Sequence, residues 1–105
     1  MLALRVRSNQ FREATSCQLA ASLRAERIRQ GISMSRLAQE AGLSQSIISL
    51  IERDLRNPTI DTLLRICSVL KVDLAALLKD AEKAALNSGD AAASMRSKTR
   101  RDDKA

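Results

Sequence analysis

The sequence contains no histidine, tryptophan or tyrosine, and it has only two cysteines and one phenylalanine. Cys17 and Cys67 lie fifty residues apart, which excludes the usual Cys/His zinc spacings and a CxxC pair. We expect Cys67, on the apolar side of a predicted helix, to be a reduced core thiol. The sequence also lacks clustered carboxylates, a glycine-rich phosphate loop and a nucleophile motif. We therefore expect no enzyme, no metal site and no cofactor.

The shortage of aromatic residues bears on the fold class. Aromatic residues make up 1% of the chain, whereas hydrophobic residues make up 45%. A core of leucine, isoleucine, valine and alanine suits closely packed helices better than sheets, which favour aromatic and β-branched residues. At 105 residues, the chain is long enough for one small domain with tails.

Long apolar runs are absent as well. No segment approaches the roughly 20 apolar residues that cross a bilayer, and the arginine-containing start has no continuous apolar segment of the signal-peptide kind. We therefore expect a soluble protein of the reducing cytoplasm, with no membrane partner.

Basic residues are in excess. The formal charge is +6 and the isoelectric point is about 10.2, which points to a polyanionic partner. Segments 1–16, 17–87 and 88–105 each carry a net charge of +2, so the two tails supply most of the excess. DNA contact and a merely solvated surface explain such basic tails equally well.

Apolar spacing and capping residues predict five helices between about Cys17 and Leu86. The predicted N-caps are Ser33, Ser44, Thr59 and Asp73, and Gly31 and Gly42 are the predicted turn glycines. The predicted inward-facing residues, in chain order, are Leu19, Leu23, Ile28, Leu37, Ala38, Ala41, Ile48, Ile51, Ile60, Leu63, Ile66, Cys67, Leu70, Leu74, Leu77 and Leu78.

Three regions follow from this pattern. Residues 1–15 form an N-terminal arm, whose alternating Leu2, Leu4 and Val6 leave three alternatives open: a short strand, pairing with a second subunit, or disorder. Residues 16–87 form the domain. Residues 88–105 lack large apolar side chains except Met95 and are expected to be a basic, flexible tail.

Residues 31–58 have the order of a helix-turn-helix, in which a second short helix enters the major groove of DNA. Gly42 supplies the turn because a residue without Cβ takes positive φ at little cost. In the second helix, Ile48 and Ile51 face inward, and polar residues occupy the other side. The small Ala38 suits the close crossing that so short a turn imposes.

Over residues 19–78 the chain resembles the Cro/CI-type (XRE-like) helix-turn-helix family of phage repressors and bacterial regulators. Five motifs carry the resemblance in this order: LxxxLRxxRxxxGIS, LAxxAGLS, IISLIER, NPTIDTLLRI and VLKVDLAALL. The resemblance implies an all-α, five-helix, phage-repressor-like helix-turn-helix domain with flexible N- and C-terminal tails. It also implies double-stranded DNA as the partner.

The resemblance assigns DNA-reading positions on the second helix of the motif. The implied base-reading residues are Gln45, Ser46, Ser49 and Leu50. Glutamine can pair with adenine at two atoms, serine reads bases less selectively, and leucine offers only apolar contact, for instance with a thymine methyl group. The alternative for Leu50 is packing against a neighbouring side chain. The alternative for the three polar residues is an ordinary solvated helix face.

Phosphate contacts are implied next to this helix. The candidates are Ser44, Arg53, Arg56, Asn57, Arg36 and Ser35, with backbone N–H groups at Ser35 and Ser44 contributing through the positive ends of their helices. Solvated loop charges are the alternative. The resemblance also implies that Arg27 and Glu52 form an ion pair that locks the first helix to the recognition helix.

Two residues depart from the family pattern. Met34 stands where relatives have a phosphate-binding glutamine, and Asp54 stands where glycine closes the recognition helix, although aspartate tolerates the left-handed conformation. Both departures indicate modest intrinsic affinity, supplemented by dimerisation or by the basic tails.

The functional prediction is a sequence-specific regulator, bacterial or phage-encoded, that represses by binding a palindromic operator as a homodimer. The predicted dimer seam is Val72, Leu74, Ala75 and Leu78; completion of the monomer core is the alternative reading of these residues. The alternative function is an antitoxin-type interaction module that neutralises a partner toxin and binds DNA to regulate its own gene.

Overall fold

The computed structural model describes residues 9–87, which form five α-helices and no strand. The helices are α1 (Asn9–Arg29), α2 (Met34–Ala41), α3 (Gln45–Glu52), α4 (Ile60–Leu70) and α5 (Leu74–Asn87). The predicted all-α, five-helix fold is confirmed. The possible strand near the N-terminus and the predicted tail 88–105 lie outside the described residues.

The helices begin at the predicted caps. The side-chain oxygens of Ser33, Ser44 and Thr59 each accept a hydrogen bond from the backbone N–H three residues later, at 3.0–3.1 Å. Asp73 Oδ1 accepts from the N–H of Ala75 at 3.2 Å. Each bond satisfies one of the donors that a helix leaves unpaired in its first turn, so these local signals set the helix starts.

Four of the helices end in a residue with positive φ. Gly31 and Gly42 have φ of +71° and +72°, and Asp54 and Lys71 have φ of +56° and +59°. After each of these residues, the next backbone N–H bonds to a carbonyl five residues back, as in the 2.9 Å bond from Leu55 to Leu50. This is the Schellman geometry, which glycine adopts freely and a residue with Cβ adopts at some cost.

Leucine and isoleucine side chains from the first four helices fill the core. The most completely buried side chains are Leu23, Leu37, Ile48, Ile66 and Leu70. Cys67 is also buried, and the loss of solvation, followed by the charge of Asp73, raises the pKa of its thiol. Burial at all these positions was predicted from the apolar spacing.

Two predicted core positions are wrong. Ile28 is 52% exposed and Ile60 is 62% exposed. Along α1 the buried positions continue from Leu23 to Arg27, so a charged residue takes the inward place and its neighbour Ile28 faces solvent. Ile60 is the first residue of α4, and the buried stripe of that helix begins at Leu63.

The first helix begins eight residues earlier than predicted. Residues 9–15, assigned to an extended or disordered arm, are helical, which corrects that assignment. α1 packs more extensively against α5 than any other two helices do, and the buried residues of α5 are Ala81 and Ala85, one turn apart. Small side chains let the backbones of these two helices approach closely.

None of the helices within residues 9–87 combines the length and apolar character that a membrane crossing requires.

Candidate nucleic-acid interface

The helix-turn-helix unit consists of α2, the turn at Gly42 and α3. α4 braces this turn, since Arg65 Nη1 lies 3.4 Å from the carbonyl oxygen of Ala41. Gly42 has φ of +72°, a conformation that favours glycine, and a Cβ added there would lie 3.1 Å from the same Arg65 nitrogen, so a larger residue would also displace the arginine side chain. Ile48 and Ile51 anchor α3 in the core with exposures of 1% and 3%, and the opposite side of α3 faces outward.

The outward side of α3 forms one wall of a shallow, open groove. The groove is lined by Met34, Gln45, Ser46, Ser49, Leu50 and Arg53. All four residues predicted to read bases therefore lie together. Gln45 and Ser46 are exposed, whereas Ser49 and Leu50 are half-buried.

Two members of this groove come from outside the predicted base-reading set. Met34, the first residue of α2, is half-buried and packs against the core while it also lines the groove. Arg53 is exposed at the end of α3, where its Nε lies 3.5 Å from the carbonyl oxygen of Ser49. The groove thus offers amide and hydroxyl groups, two apolar side chains and one cation.

The other predicted phosphate contacts are dispersed around this groove. Ser35 and Ser44 are exposed at the starts of α2 and α3, beside the positive ends of those helices. Arg36 is exposed but donates to Glu40 at 2.8 Å. The hydrogen bond to Glu40, supported by its charge, raises the pKa of the Arg36 guanidinium, so a phosphate has to compete with this carboxylate.

Arg56 and Asn57 lie on the other side of the recognition helix, toward α1. Asn57 shares an open polar groove with Asn9, Arg12 and Ser16. Sequence reasoning missed these α1 residues because it began the helix at Cys17. Their place beside Asn57 follows from the N-terminal extension of α1, which the apolar spacing of the sequence does not predict.

Ser16 connects α1 to the end of the recognition helix. Its Oγ donates to Asp54 Oδ1 at 2.7 Å, and Asp54 is the residue whose positive φ closes α3. The predicted tolerance of aspartate for this conformation is confirmed. The bond fixes the start of the loop that carries Arg56 and Asn57.

Arg27 and Glu52 form a two-pronged ion pair between α1 and α3. Arg27 Nε and Nη2 donate to the two carboxylate oxygens of Glu52 at 2.7 and 3.0 Å, and Nη1 donates to the carbonyl oxygen of Ile32 at 2.7 Å. The two side chains are 11% and 5% exposed. The pair joins the last residue of the recognition helix to the last turn of α1, and neither side chain is free to contact a base.

The residues of the predicted dimer seam lie at the start of α5. Val72, Leu74 and Leu78 are half-buried and pack against the core of the single chain, whereas Ala75 is exposed. Part of each of the three larger side chains therefore already serves the monomer core.

Comparison with known proteins places this geometry in context. The family model HTH_3, described as helix-turn-helix, matches residues 23–77. Two crystal structures of the clp gene regulator ClgR from Corynebacterium glutamicum are similar in fold. One is 24% identical with a TM-score of 0.65, covering 78% of this chain and 87% of ClgR; the other is 26% identical with a TM-score of 0.59, covering 65% and 86%. No curated protein matches the sequence.

Proposed function

This chain belongs to the helix-turn-helix family, and from that premise we propose that it is a repressor that binds a palindromic operator as a homodimer. The predicted membership of the Cro/CI-type class is confirmed, and the chain is a DNA-binding transcription regulator. The operator, the direction of regulation and the assembly belong to the proposal. The proposal also includes the compartment: a protein that binds this DNA acts in the cytoplasm of a bacterium, whether the gene is bacterial or phage-encoded.

The outward side of α3 is the observation that carries the proposal. Gln45, Ser46 and Ser49 line one groove with Leu50, and an α-helix of this kind fits the major groove. The buried pair of Arg27 and Glu52 holds α3 at one end. A rigidly held helix with short polar side chains suits the reading of base edges, because the side chains lose little freedom on binding.

Dimerisation follows from the small size of the reading surface. One recognition helix of eight residues contacts only a few base pairs, and proteins of this class gain specificity by placing two such helices one DNA turn apart. We assign the seam to the start of α5, where Ala75 is exposed beside the half-buried Leu74 and Leu78.

The test is enrichment of bound duplexes from a randomised pool, using the full chain at two salt concentrations. We expect an inverted repeat whose half-sites are about one turn apart. Sedimentation of the protein on the enriched duplex then gives the number of chains bound. Sequence-blind binding that disappears with salt would refute the proposal, and one chain per duplex would refute the homodimer.

The antitoxin alternative is favoured by one observation. Ile60 and Leu64, on the same side of α4 one turn apart, are 62% and 52% exposed, which is more apolar exposure than DNA binding requires. A toxin-like reading frame beside the gene, whose product co-purifies with this chain and loses toxicity in the complex, would favour the alternative.

A further inference from the structure

The recognition groove is lined by two apolar side chains as well as by polar ones. Met34 and Leu50 line the same groove although one belongs to α2 and the other to α3. Both are half-buried, so each presents part of its surface to whatever enters the groove. Packing against the core restrains Met34.

These two side chains suit only one feature of a DNA major groove. Phosphates and most base-edge atoms are hydrogen-bonding groups, which thioether and aliphatic surfaces leave unsatisfied. The apolar group that a natural base pair presents there is the C5-methyl of thymine. Cytosine carries the same methyl group only when it is methylated at C5.

We propose that Met34 and Leu50 form a binding site for a pyrimidine C5-methyl group and thereby fix thymine at one position of each operator half-site. The neighbouring hydroxyls of Ser46 and Ser49 line the same groove and discriminate weakly between bases. The methyl contact then supplies selectivity that the two serines lack. This inference rests on the proposed function, because it requires a specific operator.

The test uses the full chain and the enriched operator, with each thymine replaced in turn by deoxyuridine. Deoxyuridine keeps every hydrogen-bonding atom of thymine and lacks only the methyl group. We expect about a fourfold weaker Kd at the thymine facing the groove, the change that corresponds to one buried methyl or methylene. Substitution at both symmetric positions should weaken a dimer about sixteenfold, and the remaining thymines should tolerate the change.

A second arm separates thymine from methylated cytosine. Each cytosine of the half-site is replaced by 5-methylcytosine, and the Kd is measured by fluorescence anisotropy. Weaker binding to uracil identifies thymine as the source of the methyl group. Tighter binding to methylated cytosine, with no effect of uracil, places the site on cytosine and overturns the assignment of thymine.

Variants assign the effect to the two side chains. In Leu50→Ala and Met34→Ala, the ratio of the two Kd values, for thymine and for uracil DNA, should approach one. Each ratio compares two DNAs on one protein sample, so partial unfolding of a variant affects both values equally and cancels. Leu64→Ala is the matched control, because Leu64 is an exposed leucine of α4 outside the groove, and it should keep the wild-type ratio.

The outcomes distinguish this inference from the proposed function. Specific binding to an operator with equal affinity for thymine and uracil at every position, and no response to cytosine methylation, overturns the methyl site alone. Failure to enrich any operator overturns the proposed function and the methyl site with it.

Discussion

Replacing Arg27 by alanine tests the role of the ion pair between α1 and α3. The substitution leaves the Glu52 carboxylate, whose side chain is 5% exposed, without a partner, and it frees the carbonyl oxygen of Ile32. Removing one member of a buried pair costs about 3–5 kcal/mol because the remaining charge is neither solvated nor compensated. A small domain has only about 5–15 kcal/mol of stability in total.

Urea unfolding followed by far-ultraviolet circular dichroism measures this loss. We expect the unfolding midpoint to fall by roughly 2 M or more. DNA affinity should fall with the folded fraction, while the preferred base sequence stays unchanged, because the Arg27 guanidinium is held by Glu52 and the carbonyl oxygen of Ile32. Arg36→Ala removes an exposed ion pair and should leave the midpoint where it is.

The double variant Arg27→Met with Glu52→Met separates charge burial from simple loss of contact. With both charges replaced by apolar side chains of similar length, part of the lost stability should return. A deficit of about 1–3 kcal/mol should remain for the unpaired carbonyl oxygen of Ile32. If Arg27→Ala costs no more than Arg36→Ala, or if the double variant is no more stable than the single one, the desolvation argument is refuted.

Three further predictions concern the recognition helix and the helix ends. Asp54→Asn keeps an acceptor for Ser16, and asparagine tolerates positive φ. Loss of the negative charge should therefore tighten DNA binding severalfold in low salt and less in high salt. Equal Kd values for the variant and the wild type would show that Asp54 is too far from the phosphates to repel them. Gln45→Ala should lose about 1–3 kcal/mol of discrimination at one base pair in competition binding, whereas the exposed Gln18→Ala on α1 should not. Lys71→Gly should raise thermal stability by about 1 kcal/mol, because glycine adopts the φ of +59° found there without the Cβ penalty; a lower melting temperature would contradict this.

The helix starts could be predicted from the sequence because their causes are local. Ser33, Ser44 and Thr59 each satisfy a backbone donor only three residues away, so the cap and its partner lie in one short segment. The glycine ends are equally local. The αL end at Asp54 was predicted only from the family pattern, and the one at Lys71 was not predicted, because lysine does not favour positive φ as glycine does.

The start of α1 could not be predicted from the spacing of apolar residues. Residues 9–16 contain one large apolar residue, Phe11, so they give no helical stripe of leucines. α1 packs most extensively against α5, whose buried residues Ala81 and Ala85 lie more than sixty positions after this segment in sequence. Small side chains that permit close approach carry little hydrophobic signal of their own.

The sequence predicted which residues belong to the candidate site better than it predicted how they are arranged. Family resemblance supplied Gln45, Ser46, Ser49 and Leu50, and the structure places them in one groove. The bond from Ser16 to Asp54 joins residues that are distant in sequence, so only the folded chain reveals it. The family pattern already placed Met34 at a DNA-contacting position, and the structure adds that Met34 lines the same groove as the four base-reading candidates.

The packing of α1 on α5 extends the buried core beyond the segment that matches the family. Residues 23–77 carry the family pattern, yet Leu19, Ala20, Ala81 and Ala85 are buried outside it. A chain cut to 23–77 would keep every proposed DNA-reading side chain while exposing the surfaces that these four residues cover. Transferring the helix-turn-helix unit into another regulator therefore calls for both flanking helical segments, because they cover core surfaces that a search for DNA contacts would not identify.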